Sequence, residues 1–300
     1  MKDSAYHTPV LLHDCIEGLA IKDGGVYVDV TFGGGGHSKE ILKSIGKGRL
    51  IAFDQDEDAL RNVPDDDRLT FVRQSFRFMR NHLRLNGIRE VDGILADLGV
   101  SSHQFDEAER GFSTRFDSDL DMRMDRDSKL TARKILEEYS EVELFRVFNQ
   151  GADLKSLGRI VRAILAARSG GIQSTARLKE ILTPIAPYKK QAQFWAQVFQ
   201  ALRIEVNDEL SALFDLLKQC AEMIKPGGRL VVMSYHSLED RAVKNFIRSG
   251  YVDGTMEKDF YGKLIRPFDA INRKVIAPSE QEIELNNRAR SAKLRIAQRV

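Results

Sequence analysis

Apolar residues in the first hundred positions come in short runs, separated by stretches of helical period. Residues 26–32, 49–54, 69–73 and 91–98 read as strands one to four. Between them, residues 37–45, 56–62 and 76–85 space their apolar side chains as helices do. Strands that are buried on both faces read as continuous apolar runs, so this alternation predicts a parallel sheet with helices on each side. A fifth strand is expected at 229–234, after a helix stop at Pro226-Gly227-Gly228. The expected fold class is α/β, a doubly wound parallel sheet.

Past Ser101 the pattern changes. The stretch from there to Gly228 far exceeds one crossover helix, and its content is helical. Ser140-x-x-Glu143 has the spacing of a capping box. Leu154, Leu157, Ile160, Val161, Ile164 and Leu165 keep a 3.6-residue period. Residues 106–200 are therefore expected to form an inserted helical domain, with 1–105 and 201–300 forming the sheet domain. A long helix ending near Lys225 should return the chain to the sheet, with Val206, Leu210, Leu213, Phe214 and Leu217 on its buried stripe.

Candidate chemistry gathers where strands end. Strand one runs into Gly33-Gly34-Gly35-Gly36-His37 and a helix follows at once. Strand, bare turn and helix N-terminus together are where nucleotide-like ligands meet α/β sheets. A dinucleotide fingerprint would need its third glycine where Ser38 stands, which points to a nucleoside ligand without a pyrophosphate. S-adenosylmethionine is the leading candidate. Asp54 closes strand two, where an acid accepts hydrogen bonds from ribose hydroxyls. Phe76, just past strand three, has two open readings, an adenine contact or a core phenylalanine.

Strand four ends in Asp97-Leu98-Gly99-Val100-Ser101-Ser102, so Asp97 should enter the same crevice as the glycines. A carboxylate there could bind the ligand's amino group or take a proton from a nucleophile. Strand five ends in Ser234-Tyr235-His236-Ser237-Leu238-Glu239-Asp240. Tyr235 and His236 are candidates to hold a base; the plain alternative is a helix cap at Ser237-x-x-Asp240.

Composition narrows the partners. A net charge of +2 with 30% charged residues excludes a wholesale basic protein. Residues 286–300 nevertheless carry Arg288, Arg290, Lys293, Arg295 and Arg299 without an acid, either to hold phosphates or as a solvated terminal helix. Cys15 and Cys220 offer neither metal-ligand spacing nor a disulfide framework, so no metal is expected. The chain has no apolar run of membrane length and no signal-like core, and a cytoplasmic protein without a membrane partner is expected.

With these residues in place, the chain resembles the bacterial 16S ribosomal RNA (cytosine-N4) methyltransferase family, RsmH (MraW). The resemblance starts with His7-Thr8-Pro9-Val10-Leu11-Leu12, Thr31-Phe32-Gly33-x-Gly35-Gly36-His37-Ser38 and Asp92-Gly93-Ile94-Leu95-x-Asp97-Leu98-Gly99-Val100-Ser101-Ser102. It continues through Gln104, Asp106-x-Ala108-Glu109-Arg110-Gly111-Phe112-Ser113 and Leu120-Asp121-Met122-Arg123-Met124-Asp125. Phe199-Gln200-Ala201-Leu202-Arg203-Ile204-x-Val206-Asn207, Pro226-Gly227-Gly228-Arg229-Leu230, Ser234-x-His236-Ser237-Leu238-Glu239-Asp240-Arg241 and Arg288-Ala289-Arg290-Ser291 complete it.

The resemblance implies a Rossmann-like, class I fold and S-adenosylmethionine as cofactor. It also implies methylation of the exocyclic N4 of a decoding-centre cytosine in 16S rRNA of the small ribosomal subunit. The implied cofactor contacts are Gly35, Gly36, His37, Asp54, Phe76, Asp97 and Gln104, to which the glycine turn adds Gly33. Asp97, Tyr235 and His236 are the candidate catalytic residues.

Two segments depart from the family pattern, in or beside the inserted domain where RNA contacts are expected. Gly151-Ala152-Asp153-Leu154 stands where a Tyr-Gly-Glu-Glu stretch is usual, and Gln193-Phe194-Trp195-Ala196-Gln197 where a His-Pro-Ala-Thr/Lys-Arg stretch is. Trp195 either stacks on RNA or packs in the helical core. Two alternatives stay open, a non-catalytic cofactor-binding ribosome-assembly factor and a paralogue acting on another RNA. Ser38 disfavours a nicotinamide oxidoreductase, and the absence of a Pro-Pro pair disfavours a DNA amino-methyltransferase. Monomer and homodimer are both compatible with the sequence.

Overall fold

The computed structural model describes residues 9–300, so His7 and Thr8 lie outside the described residues. The chain opens with α1 (Leu12–Leu19), β1 (Val26–Asp29), α2 (Gly36–Ser44) and β2 (Arg49–Asp54). A 3-10 turn (Glu57–Asn62), β3 (Leu69–Arg73), a second 3-10 turn (Phe76–Phe78), α3 (Met79–Leu85) and β4 (Val91–Asp97) follow. Six helices come next: α4 (Ser102–Asp106), α5 (Ala132–Glu138), α6 (Glu141–Gly151), α7 (Leu157–Ala167), α8 (Thr175–Leu182) and α9 (Gln191–Asn207). The last part contains α10 (Glu209–Met223), β5 (Ile224–Ser234), α11 (Ser237–Ser249), β6 (Phe268–Ala270), α12 (Glu280–Leu285) and β7 (Lys293–Arg299).

The seven strands among the described residues form one sheet in the order β3-β2-β1-β4-β5-β7-β6. Strands β1 to β5 pair in parallel, and β7 runs antiparallel between β5 and β6. Successive residues of a strand face opposite ways, and the core divides accordingly. Val28, Ile51, Ile94 and Leu230 point to one face, under Leu213, Leu217, Val243 and Phe246. Tyr27, Leu50, Leu95 and Val231 point to the other, against Cys15, Leu19, Ile41 and Ile45. The expected doubly wound α/β sheet is therefore present, and its strand order reverses between β1 and β4.

Several expected boundaries move. Strand β1 stops at Asp29 rather than Phe32, because past Val30 the chain leaves β4 and the Phe32 amide bonds to Phe53 of β2. Strand β4 likewise ends one residue early, at Asp97. Pro226-Gly227-Gly228 is no helix stop: it lies inside β5, in a register shift between the Val91–Ile224 and Gly93–Arg229 pairs. The long returning helix is two helices, broken where Asp208 takes a left-handed φ of 48°. The basic tail is not a terminal helix. Leu294 and Ile296 alternate with Lys293 and Arg295, and this period of two makes it β7. Two of its cations, Lys293 and Arg295, are spent on Asp240, and Arg299 donates to the carbonyls of Ala221 and Pro267.

The chain forms two compact units. One takes the described residues up to Gly99 together with Leu210–Val300, and the other is Val100–Glu209, wider at both ends than the 106–200 read from the sequence. The helical unit has its own core, in which Leu136, Phe148, Ile160, Ile164, Leu178 and Leu202 are fully buried. The Ser140–Glu143 capping box forms at the start of α6. Trp195, 9% exposed, packs edge-on against Phe194 within this core, which settles its two readings in favour of packing. The two departing segments touch each other. Gln197 Nε2 donates to the Asp153 carbonyl at 2.9 Å, and Gln200, just beyond, donates its Nε2 to the Gly151 carbonyl at 2.9 Å. No helix among the described residues is long and apolar enough to cross a membrane.

Candidate functional site

The glycine turn is held from beneath by Asp29, a buried acid at the end of β1. Its carboxylate accepts from Ser38 Oγ at 2.7 Å and from the Thr31 amide at 3.1 Å, tying the first turn of α2 to the strand. Burial pushes the Asp29 pKa up, and these bonds oppose the rise. Two glycines have no substitute. Gly35 has φ +74°, and a Cβ there would lie 2.7 Å from Phe32 Cζ. A Cβ on Gly36 would lie 2.1 Å from Pro9 Cγ. The first amides of α2 have no acceptor within the helix and are available to a ligand at the carboxyl edge of the sheet.

Asp54 closes the next strand. Its Oδ2 accepts from the Gly33 amide at 2.7 Å and its Oδ1 from the Asp56 amide at 2.9 Å. The carboxylate is half-buried, and desolvation raises its pKa to about 6 against the pull of those bonds. A carboxylate has about four acceptor positions, so two remain for a diol. Asn62 Nδ2 closes the cradle by donating to the Gly33 carbonyl at 3.1 Å. Phe76 opens the 3-10 turn after β3, half-buried against the sheet core.

Asp97 closes β4. Tyr235 donates its hydroxyl to Asp97 Oδ1 at 2.9 Å, and His37 Nδ1 lies 3.9 Å from Oδ2. The Asp97 amide donates to Thr31 Oγ1 at 2.6 Å, joining this carboxylate to the glycine turn. Burial lifts the Asp97 pKa to about 6, opposed by His37 and by the Tyr235 hydrogen bond. With Nε2 directed at the Val10 carbonyl 3.2 Å away, the second ring nitrogen of His37 is the one that faces Asp97.

His236 is placed differently from its neighbour. It is the N-cap of α11, and its Nδ1 accepts from the Glu239 amide at 3.4 Å. Its Nε2 lies 3.2 Å from Glu239 Oε1, and the side chain is only 7% exposed. Glu239 in turn accepts from the Tyr235 amide at 3.0 Å. The cap thus starts at His236, one residue ahead of the Ser237-x-x-Asp240 spacing. Gln104 belongs to the helical unit, buried at the third position of α4, where its Oε1 accepts from the Ser101 amide at 3.0 Å. The structure accordingly brings Gly33, Gly35, Gly36, His37, Asp54, Asp97 and Tyr235 to one edge of the sheet. Sequence reasoning passed over Asp29 and Thr31, although an acid just before a glycine turn is the signal that finds them.

A doubly wound sheet with a bare-backbone cradle after β1 and carboxylates closing β2 and β4 defines a class I, Rossmann-like nucleoside-cofactor enzyme. The chain belongs to the MraW methylase family, whose profile matches residues 4–300. It is 54% identical over 297 residues to the ribosomal RNA small subunit methyltransferase H of Flavobacterium johnsoniae, covering 98% of each chain. Over 296 residues it is 53% identical to the protein of the same name from Bacteroides thetaiotaomicron, covering 98% of this chain and 97% of that one. TrmN from Thermus thermophilus is a structural neighbour at a TM-score of 0.43 and 13% identity, covering 97% of this chain and 48% of its own.

Proposed function

We propose that this protein methylates the exocyclic N4 of a cytosine in the decoding centre of 16S rRNA, with the small ribosomal subunit as its substrate. The names of its relatives support the substrate class. The observation that carries the chemistry is the Asp97 carboxylate, held by Tyr235 at the carboxyl edge of the sheet beside the glycine cradle.

The methyl donor is S-adenosylmethionine, which supplies when bound an electrophilic methyl group on a sulfonium. The residues present fit it: Asp54 retains acceptor positions for the ribose hydroxyls, and the cradle at Gly35 and Gly36 keeps side chains out of the way. The lone pair of a cytosine amine is delocalised into the ring, so the amine is a weak nucleophile. Asp97 accepts a hydrogen bond from an amine hydrogen, which localises that lone pair and offsets positive charge as it develops on nitrogen. The same carboxylate then takes the proton the amine releases. Tyr235 orients Asp97, and Glu239 fixes the Tyr235 main chain. His236 contributes by capping α11. The target base must first leave its stack, as in other base-modifying enzymes.

The helical unit supplies the substrate-recognition surface in this reading. Tyr188 is exposed beside Lys189 and Lys190, a ring and two cations suited to a base and its phosphates. The test is transfer of labelled methyl to undermethylated small subunits, followed by digestion to nucleosides. N4-methylcytosine from the decoding centre is the expected product. Label on another nucleoside, or none despite cofactor binding, would overturn the assignment.

A further inference from the structure

The hairpin between α11 and β6 forms a surface that the methyl-transfer site does not use. The Ile265 amide donates to Glu257 and the Asp259 amide to Lys263, each at 2.9 Å, and Lys258 pairs with Leu264 in an antiparallel bridge. At the tip, Asp259 Oδ1 accepts from the amides of Tyr261 and Lys263, both at 2.9 Å, and the Gly262 amide donates to the Asp259 carbonyl. The tip is therefore a built turn. It holds Phe260 98% exposed and Tyr261 91% exposed, their rings edge-on with centroids 5.6 Å apart. Two adjacent rings fixed in water on an ordered turn are unusual, since large apolar groups in solution lose by hydration and gain by being covered.

The charges around the tip indicate what covers them. Asp259 is occupied by main-chain amides, and the Glu257 carboxylate raises the pKa of the Tyr251 phenol. Arg266 pairs with Asp269 at 2.6 Å, whereas Lys258 and Lys263 pair with no carboxylate among the described residues. The acid at the tip, Asp259, is engaged within the fold, and two cations face outward beside two rings. Rings that stack on any base, flanked by cations for phosphates, match single-stranded nucleic acid. We propose that this hairpin stacks unpaired bases of the RNA substrate, a second contact surface carried on the sheet unit. The proposal rests on the reading of the substrate as ribosomal RNA.

The test pairs Phe260→Ser with Tyr261→Ser in one variant and Lys258→Gln with Lys263→Gln in another. Two readouts are needed: methyl transfer to undermethylated small subunits, and binding of a fluorescent single-stranded oligoribonucleotide, which requires no methyl transfer. The serine variant should raise KM for subunits and Kd for the oligonucleotide by on the order of tenfold or more. Turnover at saturating subunits and affinity for S-adenosylmethionine should stay at the wild-type level. The ring-conserving exchange Phe260→Tyr with Tyr261→Phe should restore KM and Kd. The lysine variant should reduce the slope of log Kd against log salt by roughly 1.4, the share of two phosphate contacts on a single strand.

Unchanged Kd and KM in the serine variant would overturn the proposal. So would a wild-type dimer that the serine variant turns into a monomer with Kd unchanged, which would make the hairpin a self-docking surface. A wild-type protein that binds the oligonucleotide through these rings but transfers no methyl group to subunits would instead refute the proposed reaction and leave the hairpin assignment standing.

Discussion

Tyr235 donates its hydroxyl to Asp97 across 138 positions of sequence, at 2.9 Å. Asp97 closes β4 and Tyr235 follows β5, neighbouring parallel strands in which Asp97 lies opposite Met233. The bond gives a half-buried carboxylate one fixed orientation. Removing the hydroxyl should free the carboxylate to rotate and remove an interaction that holds its pKa down. In Tyr235→Phe the acid limb of kcat/KM, expected at about pH 6 in the wild type, should move to higher pH, with turnover at the optimum reduced by about tenfold. A pH–rate profile of the two proteins checks this, and an unmoved limb would separate Tyr235 from Asp97.

Asp97 itself should trade stability for chemistry. Its pKa is raised to about 6, so the fold prefers the neutral acid. The associated stability is fully present below the ordinary carboxylate value near 3.8 and is lost as pH rises through about 6. Asp97→Asn should therefore stabilise the cofactor-free protein at pH 8 by about 1–3 kcal/mol and have little effect near pH 3. Turnover at saturating cofactor should fall by about 10²-fold or more. Denaturant melts at the two pH values test the first half; normal turnover would remove Asp97 from the mechanism.

Asp54 should govern cofactor affinity more than turnover. Asp54→Ala loses the acceptor for the Gly33 and Asp56 amides as well as for the ligand. Hydrogen bonds to a charged group contribute about 1.5–3 kcal/mol, so Kd for S-adenosylmethionine should rise by roughly 10- to 100-fold. The ionised carboxylate is the better acceptor, and wild-type affinity should improve as pH rises through about 6. Calorimetric titration between pH 5 and 8 measures both effects, and a flat profile would argue against the ribose contact.

His236 should matter to α11 and not to proton transfer. His236→Ala should cost about 0.5–2 kcal/mol of stability by loss of the N-cap, and His236→Asn, which can still cap, should recover most of it. Turnover of the Asn variant should remain near wild type. A collapse of turnover in a stably folded Asn variant would return His236 to the candidate catalytic residues.

Short-range features were legible and long-range pairings were not. The bounds of β2 and β3 match their expectation because β2 is an apolar run buried on both faces and β3, at the sheet edge, is a short β-branched and aromatic run between turn residues, both local signatures. The cap at Ser140 and the glycine turn are also local, set by residues three or four apart. The basic tail misled because its charges stand out more than its period of two; Arg295 turns out to pair with Asp240 of α11 at 2.7 Å. The returning helix misled because its apolar stripe runs unbroken across Asp208, while its two halves serve different cores.

By itself, then, the sequence determined the alternation of strands and helices, the bare-backbone turn and the acids that end β2 and β4, since period and backbone sterics act over a few residues. Only the tertiary structure decided which distant groups meet. It paired Tyr235 with Asp97, gave His236 to a helix end, inserted β7 beside β5 and buried Trp195 in the helical core. These outcomes depend on strand order and burial, which arise when the whole chain excludes water and not from any one segment's pattern.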